Sequence, residues 1–339
     1  MALRVGLALA LALALALGCP ATLGWSPGGF PNDLGKTPPR GWRSWIAFVH
    51  EADQAKMLAA IESLHKPRPL GPGGKLVSLQ DLGYTDVGLD GGWARCEGVN
   101  GTYHDAAGQL LINTTKFPDM RRINDLAHSH KLTTSFYLNC DQCVTTENLT
   151  ESAFTDSWYA KDAALAAELG WDGVKFDTQP GGPNWNITRW AEAINGTGRP
   201  MVIEDCLDKH PDGTPIKKST HPMIDILHDP AACPFNFYRT GPDNSPRFLA
   251  GMSNTLLEME PFLNVSSPVR ASRPGCFAYP DMLSIGASVM LETNWIPKGC
   301  PRLRIEEERT LFATWAIVSS PLILSFDITD DKEVARLWP

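Results

Sequence analysis

The feature that most constrains this chain is an alternation. Short runs of apolar, β-branched and aromatic residues are each followed by a longer stretch with apolar residues at three-to-four spacing. Strands repeat every two residues and helices every 3.6, so this alternation predicts βα units and a parallel sheet. The candidate strands are 41–48, 84–89, 132–138, 173–176 and 200–203, then either 224–227 or 235–238, then the segment before Asp281, and finally 319–324. Eight is the number that a closed (β/α)8 barrel needs. Helices are expected over 120–130, 157–169, 188–194 and 306–317. The Pro/Gly-rich stretch 66–74 reads as a loop, and 208–232 as a long insertion after the fifth strand.

The first residues read as a targeting segment. Arg4 precedes an apolar run from Val5 to Leu17, which ends in small and turn-forming residues. That run is shorter than the roughly 20 residues a membrane helix needs. Residues 1–24 are therefore expected to be a cleaved signal peptide, leaving no membrane attachment and one barrel over 25–339. The secretory route leads outside the cell or to a vacuole or lysosome. Asn-x-Ser/Thr sequons at Asn100, Asn113, Asn148, Asn186, Asn195 and Asn264 fit that route. A net charge of −8 without any Lys/Arg block argues against nucleic acid as a partner.

Of the 8 cysteines, Cys19 leaves with the signal. The remaining odd set implies at least one thiol that is free or joined to another molecule. Cys140 and Cys143 form a lone CxxC with no second pair or His cluster at ligand spacing, so disulfides are expected and a metal site is not. After the apolar run 316–324 the chain offers no further strand-rich segment, and the barrel is expected to be truncated near its end.

In a parallel barrel the chemistry sits at the carboxyl ends of the strands. Here those ends offer Trp45, Asp90, Tyr137 with Asn139, Lys175 with Asp177, Glu204 with Asp205, Arg239 with Asp243, and Asp281. A single strand-end Asp is more often a helix cap, and a strand-end Trp more often core. Seven ends converging with carboxylates, a lysine, an arginine and aromatics exceed what capping needs. The mixture suits a sugar: aromatic faces stack on the C–H face of a pyranose, and charged groups bind its hydroxyls. Two further carboxylates can flank the glycosidic bond, about 5–5.5 Å apart for retention and about 6.5–9.5 Å apart for inversion. Lys175 also admits a Schiff base with a carbonyl substrate. Period-two alternation places Asp177 on the same inward face, which favours a charged ammonium instead.

Trp42-Arg43-Ser44-Trp45, Val174-Lys175-Phe176-Asp177, Tyr238 to Asp243, Tyr279-Pro280-Asp281-Met282-Leu283 and Trp315 to Leu324 resemble, in order and spacing, glycoside hydrolase family 27, the alpha-galactosidases. The resemblance runs from about Thr37 to the chain end. It implies a (β/α)8 barrel, retention of configuration, no cofactor, and an oligosaccharide or glycoconjugate substrate. Asp177 matches the family's nucleophile and Asp243 its acid/base. The sugar-binding positions carry over to Trp45, Asp90, Tyr137, Lys175, Arg239 and Asp281, with Glu204 matching more weakly.

The departures are specific. Gly91 stands where the family has a second aspartate, so one hydroxyl contact is missing, a loss of about 1–3 kcal/mol. Gln179 and Gly92 replace family cysteines, which leaves Cys143 paired with Cys140 or unpaired. Pro242 directly precedes Asp243 and pushes Gly241 toward extended geometry. The family's C-terminal β-sandwich has no counterpart in this sequence. A barrel that binds carbohydrate with weak or no catalysis is the alternative these departures leave open.

Overall fold

A computed structural model describes residues 32–96, 103–139, 156–177, 187–206, 233–241, 243–244, 252, 257, 259–263, 272–286 and 302–337. The expected signal peptide, the expected insertion 208–232 and the CxxC lie outside the described residues, as do Pro242 and Gln179. So do the sequons at Asn100, Asn148, Asn186 and Asn264.

Eight parallel strands form one sheet: β1 (Arg40–Arg43), β2 (Asp86–Leu89), β3 (Thr133–Asn139), β4 (Gly173–Asp177), β5 (Val202–Cys206), β6 (Phe237–Arg239), β7 (Phe277–Tyr279) and β8 (Leu322–Leu324). Each strand from β1 to β7 pairs with the next, and β8 pairs back onto β1. The ring closes just beyond β7, where Leu283 bridges Leu324 in parallel and its N–H donates to Ile323 O at 2.8 Å. This is a (β/α)8 barrel, as the alternation predicts.

Around it lie helices α1 (Gln54–His65), α2 (Arg121–Ser129), α3 (Asp156–Leu169), α4 (Ile187–Gly196), α5 (Ile305–Ile317) and α6 (Asp331–Leu337). Side chains alternate across a strand. Trp42, Val87, Phe136, Val174, Phe176, Ile203, Tyr238, Ala278 and Leu324 all point outward into the core shared with the helices. The residues between them point into the barrel and are largely polar. Local chemistry sets the helix starts: the Asp53 side chain accepts from Lys56 N at 2.8 Å before α1. Glu306, Glu307 and Glu308 occupy the first turn of α5, where the helix dipole favours negative charge.

The first and fifth strands change in extent. The first strand was expected over 41–48 but ends at Arg43, and Trp45–Phe48 forms a helical turn. There Ser44 bonds to Gly88 O and to Asp90 N, and Ser325 Oγ accepts from Ile46 N. These local bonds replace a ladder that its short neighbour β2 cannot extend. The fifth strand was expected to stop at 203 and runs to Cys206, because buried Glu204 finds partners inside the barrel. The sixth is Phe237–Arg239, at the later of the two alternatives. Helices α1 and α6 had no assignment from the sequence.

Candidate active site

Register decides which inward residues share a level. Tyr137 pairs with Lys175 and Lys175 with Glu204. One step further up, Asp177 pairs with Cys206, and Arg239 with Tyr279. In a parallel ladder, paired residues face the same side. The strand ends therefore gather Tyr137, Lys175 and Glu204 on one tier, with Asp177, Cys206, Arg239 and Tyr279 on the tier nearer the mouth.

On the β2–β4 side, the Lys175 ammonium donates to Asp90 Oδ2 at 2.8 Å and lies 5.6 Å from the centre of the Tyr137 ring. Lys175 and Asp90 are both buried. Burial opposes the lysine charge, but Asp90 and the neighbouring acidic groups outweigh it and hold the Lys175 pKa above its usual value. Asp90 is itself fixed: its N–H donates to Ser44 Oγ at 2.9 Å, and its Oδ1 accepts from Gly91 N at 2.9 Å. A charged, paired ammonium is the wrong state for Schiff-base chemistry.

On the β6–β7 side, Arg239 Nη1 donates to Asp243 Oδ1 at 2.7 Å and stands 4.0 Å from Asp281 Oδ2, while its Nε and Nη2 donate to Gly241 O. The Asp243 side chain is 69% exposed. Asp281 is buried, its φ is +148°, and both its carboxylate oxygens accept backbone N–H groups, from Asn244 at 2.7 Å and Met282 at 2.6 Å. Helix α5 holds this exit in place: Trp315 Nε1 donates to Asp281 O at 2.8 Å, and Glu308 accepts from Gly286 N at 2.8 Å. Positive φ in a non-glycine residue stores strain. Here that conformation is held by the Asn244 and Met282 N–H bonds to the Asp281 carboxylate and by Trp315 on its carbonyl.

Asp177 ends β4, two residues beyond Lys175, and is partly buried. Burial raises its pKa, Lys175 and Arg239 partly offset that, and Asp243 and Asp90 add to the rise, leaving it pushed up to about 6. Burial also pushes Asp243 up, but the Arg239 charge and hydrogen bond more than reverse this, leaving it below the usual carboxylate value. Burial raises Asp281 against the pull of Arg239. Two carboxyl groups held at different pKa values are what acid–base division of labour requires.

Trp45 is partly buried, edge-on to His50 with ring centres 5.1 Å apart, and packs on Ile46, Val49, Met282 and Ile323. It thus joins the β1 exit to the residue after Asp281. Glu204 reaches the predicted tier, but its carboxylate is occupied: Oε2 accepts from Arg43 Nη2 at 3.2 Å, and Oε1 from Tyr279 OH and from the Cys206 thiol at 3.4 Å. Arg43, Cys206 and Tyr279 had no site assignment from the sequence. Period two could have found Cys206, two residues past Glu204 on β5, but Trp45 and Asp281 lie beyond the ends of β1 and β7, so it does not carry from them to Arg43 and Tyr279.

Among the described cysteines Cys206 is a buried free thiol, and Cys233–Cys276 is a disulfide. Of the described sequons, Asn195 is exposed. Asn113 is buried and accepts from the Thr115 and Lys116 backbone. Among the described residues no helix is long and apolar enough to cross a membrane.

A family model described as Alpha galactosidase A (Melibiase_2) matches residues 37–337. An alpha-galactosidase of Lachancea cidri is 26% identical over 323 residues, covering 89% of this chain and 59% of that protein. The alpha-N-acetylgalactosaminidase of Homo sapiens is 25% identical over 310 residues, covering 88% of this chain and 65% of that protein. Among solved structures, alpha-galactosidase I from Mortierella vinacea superposes with a TM-score of 0.62 at 22% identity, covering 91% of this chain and 72% of that one. The chain thus spans about three-fifths of the length of the first of these relatives.

Proposed function

The chain belongs to the Melibiase_2 family of alpha-galactosidases, and on that premise we propose that it is a retaining glycoside hydrolase of terminal alpha-galactosidic bonds, with Asp177 as nucleophile and Asp243 as acid/base. The observation that supports this reading is that Asp177 ends β4 one tier above Lys175 and feels charges from two clusters, Asp90–Lys175–Tyr137 and Arg239–Asp243–Asp281. A pyranose between them has hydrogen-bond partners on both flanks, with Trp45 as an aromatic wall.

In the first step the Asp177 carboxylate attacks C1 and forms an ester bond to the sugar. The glycosidic C1–O bond breaks, and Asp243 gives its proton to the departing oxygen. In the second step Asp243, now ionised, takes a proton from water, the water oxygen attacks C1, and Asp177 leaves as carboxylate with the configuration retained. No cofactor enters either step.

The surrounding charges and burial hold the two carboxyls in the reverse order, Asp177 high and Asp243 low. Sugar binding supplies the inversion. A bound sugar covers the exposed Asp243 and its hydroxyls compete for Arg239, so the acid loses both the water and the cation that keep it ionised, and its pKa rises. The chain is further proposed to be exported after loss of residues 1–24, with 25–339 as one barrel unit and an oligosaccharide or glycoconjugate as substrate.

The test is hydrolysis of an aryl alpha-galactoside at mildly acidic pH, beside Asp177→Asn, with the product anomer followed by NMR. Alpha-galactose appearing first, and only with Asp177 present, is the expected result. Beta product, or equal turnover by the variant, would overturn the assignment. Binding of galactose without turnover by a folded sample would instead mark a carbohydrate-binding barrel.

A further inference from the structure

Beneath Asp177 the barrel carries more charge than a filled interior needs. Arg43 on β1 donates to Asp86 on β2 at 2.5 Å and to Glu204 on β5 at 3.2 Å, and the Arg43 and Glu204 side chains are 3% and 2% exposed. Room for the guanidinium comes from Gly88, where a Cβ would stand 2.1 Å from Arg43 Cδ. Ser135 completes the floor by donating to Asp86. An ion triad of this kind stabilises a barrel no better than packed apolar side chains of the same volume. Stability alone therefore does not account for it.

Its connections do. Glu204 Oε2 is taken by Arg43, and Oε1 accepts from Tyr279 OH and the Cys206 thiol. Tyr279 pairs in register with Arg239, its carbonyl accepts from Thr240 N at 2.9 Å, and it precedes Asp281 by two residues. At the other end, Arg43 and Asp86 lie on the two strands whose exits carry Trp45 and Asp90. The network therefore crosses the barrel from the side that holds Lys175 and Asp90 to the side that holds Arg239 and Asp281.

We propose that Glu204 is a positioning residue and not a sugar ligand: its buried carboxylate, oriented by Arg43, braces Tyr279 and Cys206 and so fixes Arg239 and Asp281 relative to Lys175 and Asp90. For its effect on turnover the inference rests on the glycosidase reading. A brace and a ligand differ in what Tyr279→Phe does, because that change removes one hydroxyl and keeps the ring that packs edge-on to Phe237.

The experiment is a double-mutant cycle of Glu204→Gln and Tyr279→Phe, with kcat, KM and inhibition by free galactose measured on folded protein. With a brace, each single variant lowers kcat by about 10- to 100-fold through misplaced groups. The double variant falls within about twofold of the worse single one, since both remove the same link. KM and the galactose inhibition constant shift alike in the two single variants, within about threefold of each other, because either change displaces the same sugar-binding groups, a discrimination of less than 1 kcal/mol. Full additivity, or a Tyr279→Phe variant like the unsubstituted chain beside a Glu204→Gln variant whose galactose inhibition weakens by more than about tenfold, would overturn the proposal in favour of direct sugar contact.

A second readout needs no turnover: labelling of Cys206 by a thiol reagent, mapped by mass spectrometry on the native chain and on Tyr279→Phe. Labelling at least about tenfold faster in the variant is expected, because local opening exposes the thiol. Unchanged labelling refutes the brace even if Glu204→Gln does not fold. If the unsubstituted chain hydrolyses nothing, the glycosidase reading falls, and the labelling still decides whether the brace exists.

Discussion

The two sides of the pocket meet the same problem, a cation beside carboxylates, in opposite ways. On the β2–β4 side Lys175 and Asp90 are both buried and bonded to each other, and the backbone around Asp90 is tied to Ser44. On the β6–β7 side buried Arg239 is shared between a buried acid, Asp281, and one that is 69% exposed, Asp243. The first side is fixed. The second holds a group that can leave its partner, as the acid/base proposed for Asp243 must do twice per turnover. A buried pair is rigid because separating it strands a charge, whereas an exposed carboxylate is compensated by water.

Several substitutions break or sharpen that contrast. The largest effect belongs to Asp177, which both sides serve: Asp177→Asn is expected to lower kcat by about 10⁴-fold or more while leaving the protein folded, measured by turnover beside circular dichroism. Next, Lys175→Met strands Asp90 and is expected to destabilise by about 3–5 kcal/mol in urea unfolding. A loss under about 1 kcal/mol would mean that the β2–β4 side is not the fixed one.

A smaller effect tests the raised Asp177 carboxyl. Its folded pKa of about 6 lies above the ordinary 3.8, so the folded state binds the extra proton between those values. The stabilisation is complete below about pH 4 and is lost as pH rises through about 6. Asp177→Asn, which cannot ionise, is therefore expected to raise Tm at pH 7 and to match the unsubstituted chain near pH 4; a constant Tm difference across that range would refute the shift. The same group sets an acid limb in kcat/KM below about pH 6. The smallest effect is Asp243→Asn on stability, expected within about 1 kcal/mol of zero in the same urea experiment, because its ion pair is exposed.

Much of this was legible in the sequence because strands announce themselves by period and the site follows from strand ends. Lys175 and Asp177 were placed on one inward face by counting alone, and β4 carries them there. The sequence misread the Trp45–Phe48 run as strand because its apolar residues look the same whether they pack along a sheet or a turn. It ended β5 too early because Glu204 and Asp205 read as a boundary. A buried glutamate is tolerable inside a strand only when a cation reaches it, and Arg43 is 161 residues away in the chain. No local pattern carries that information.

The sequence by itself determined the barrel, the strand exits and the residue types that line them, because alternation and strand order are local properties. The tertiary structure alone decided the pairing: that Lys175 finds Asp90, that Arg239 is divided between Asp243 and Asp281, and that Glu204 turns inward to Arg43 and Tyr279. Charge pairing depends on distance through space, and only closure of the barrel, by β8 on β1 and Leu283 on Leu324, sets those distances.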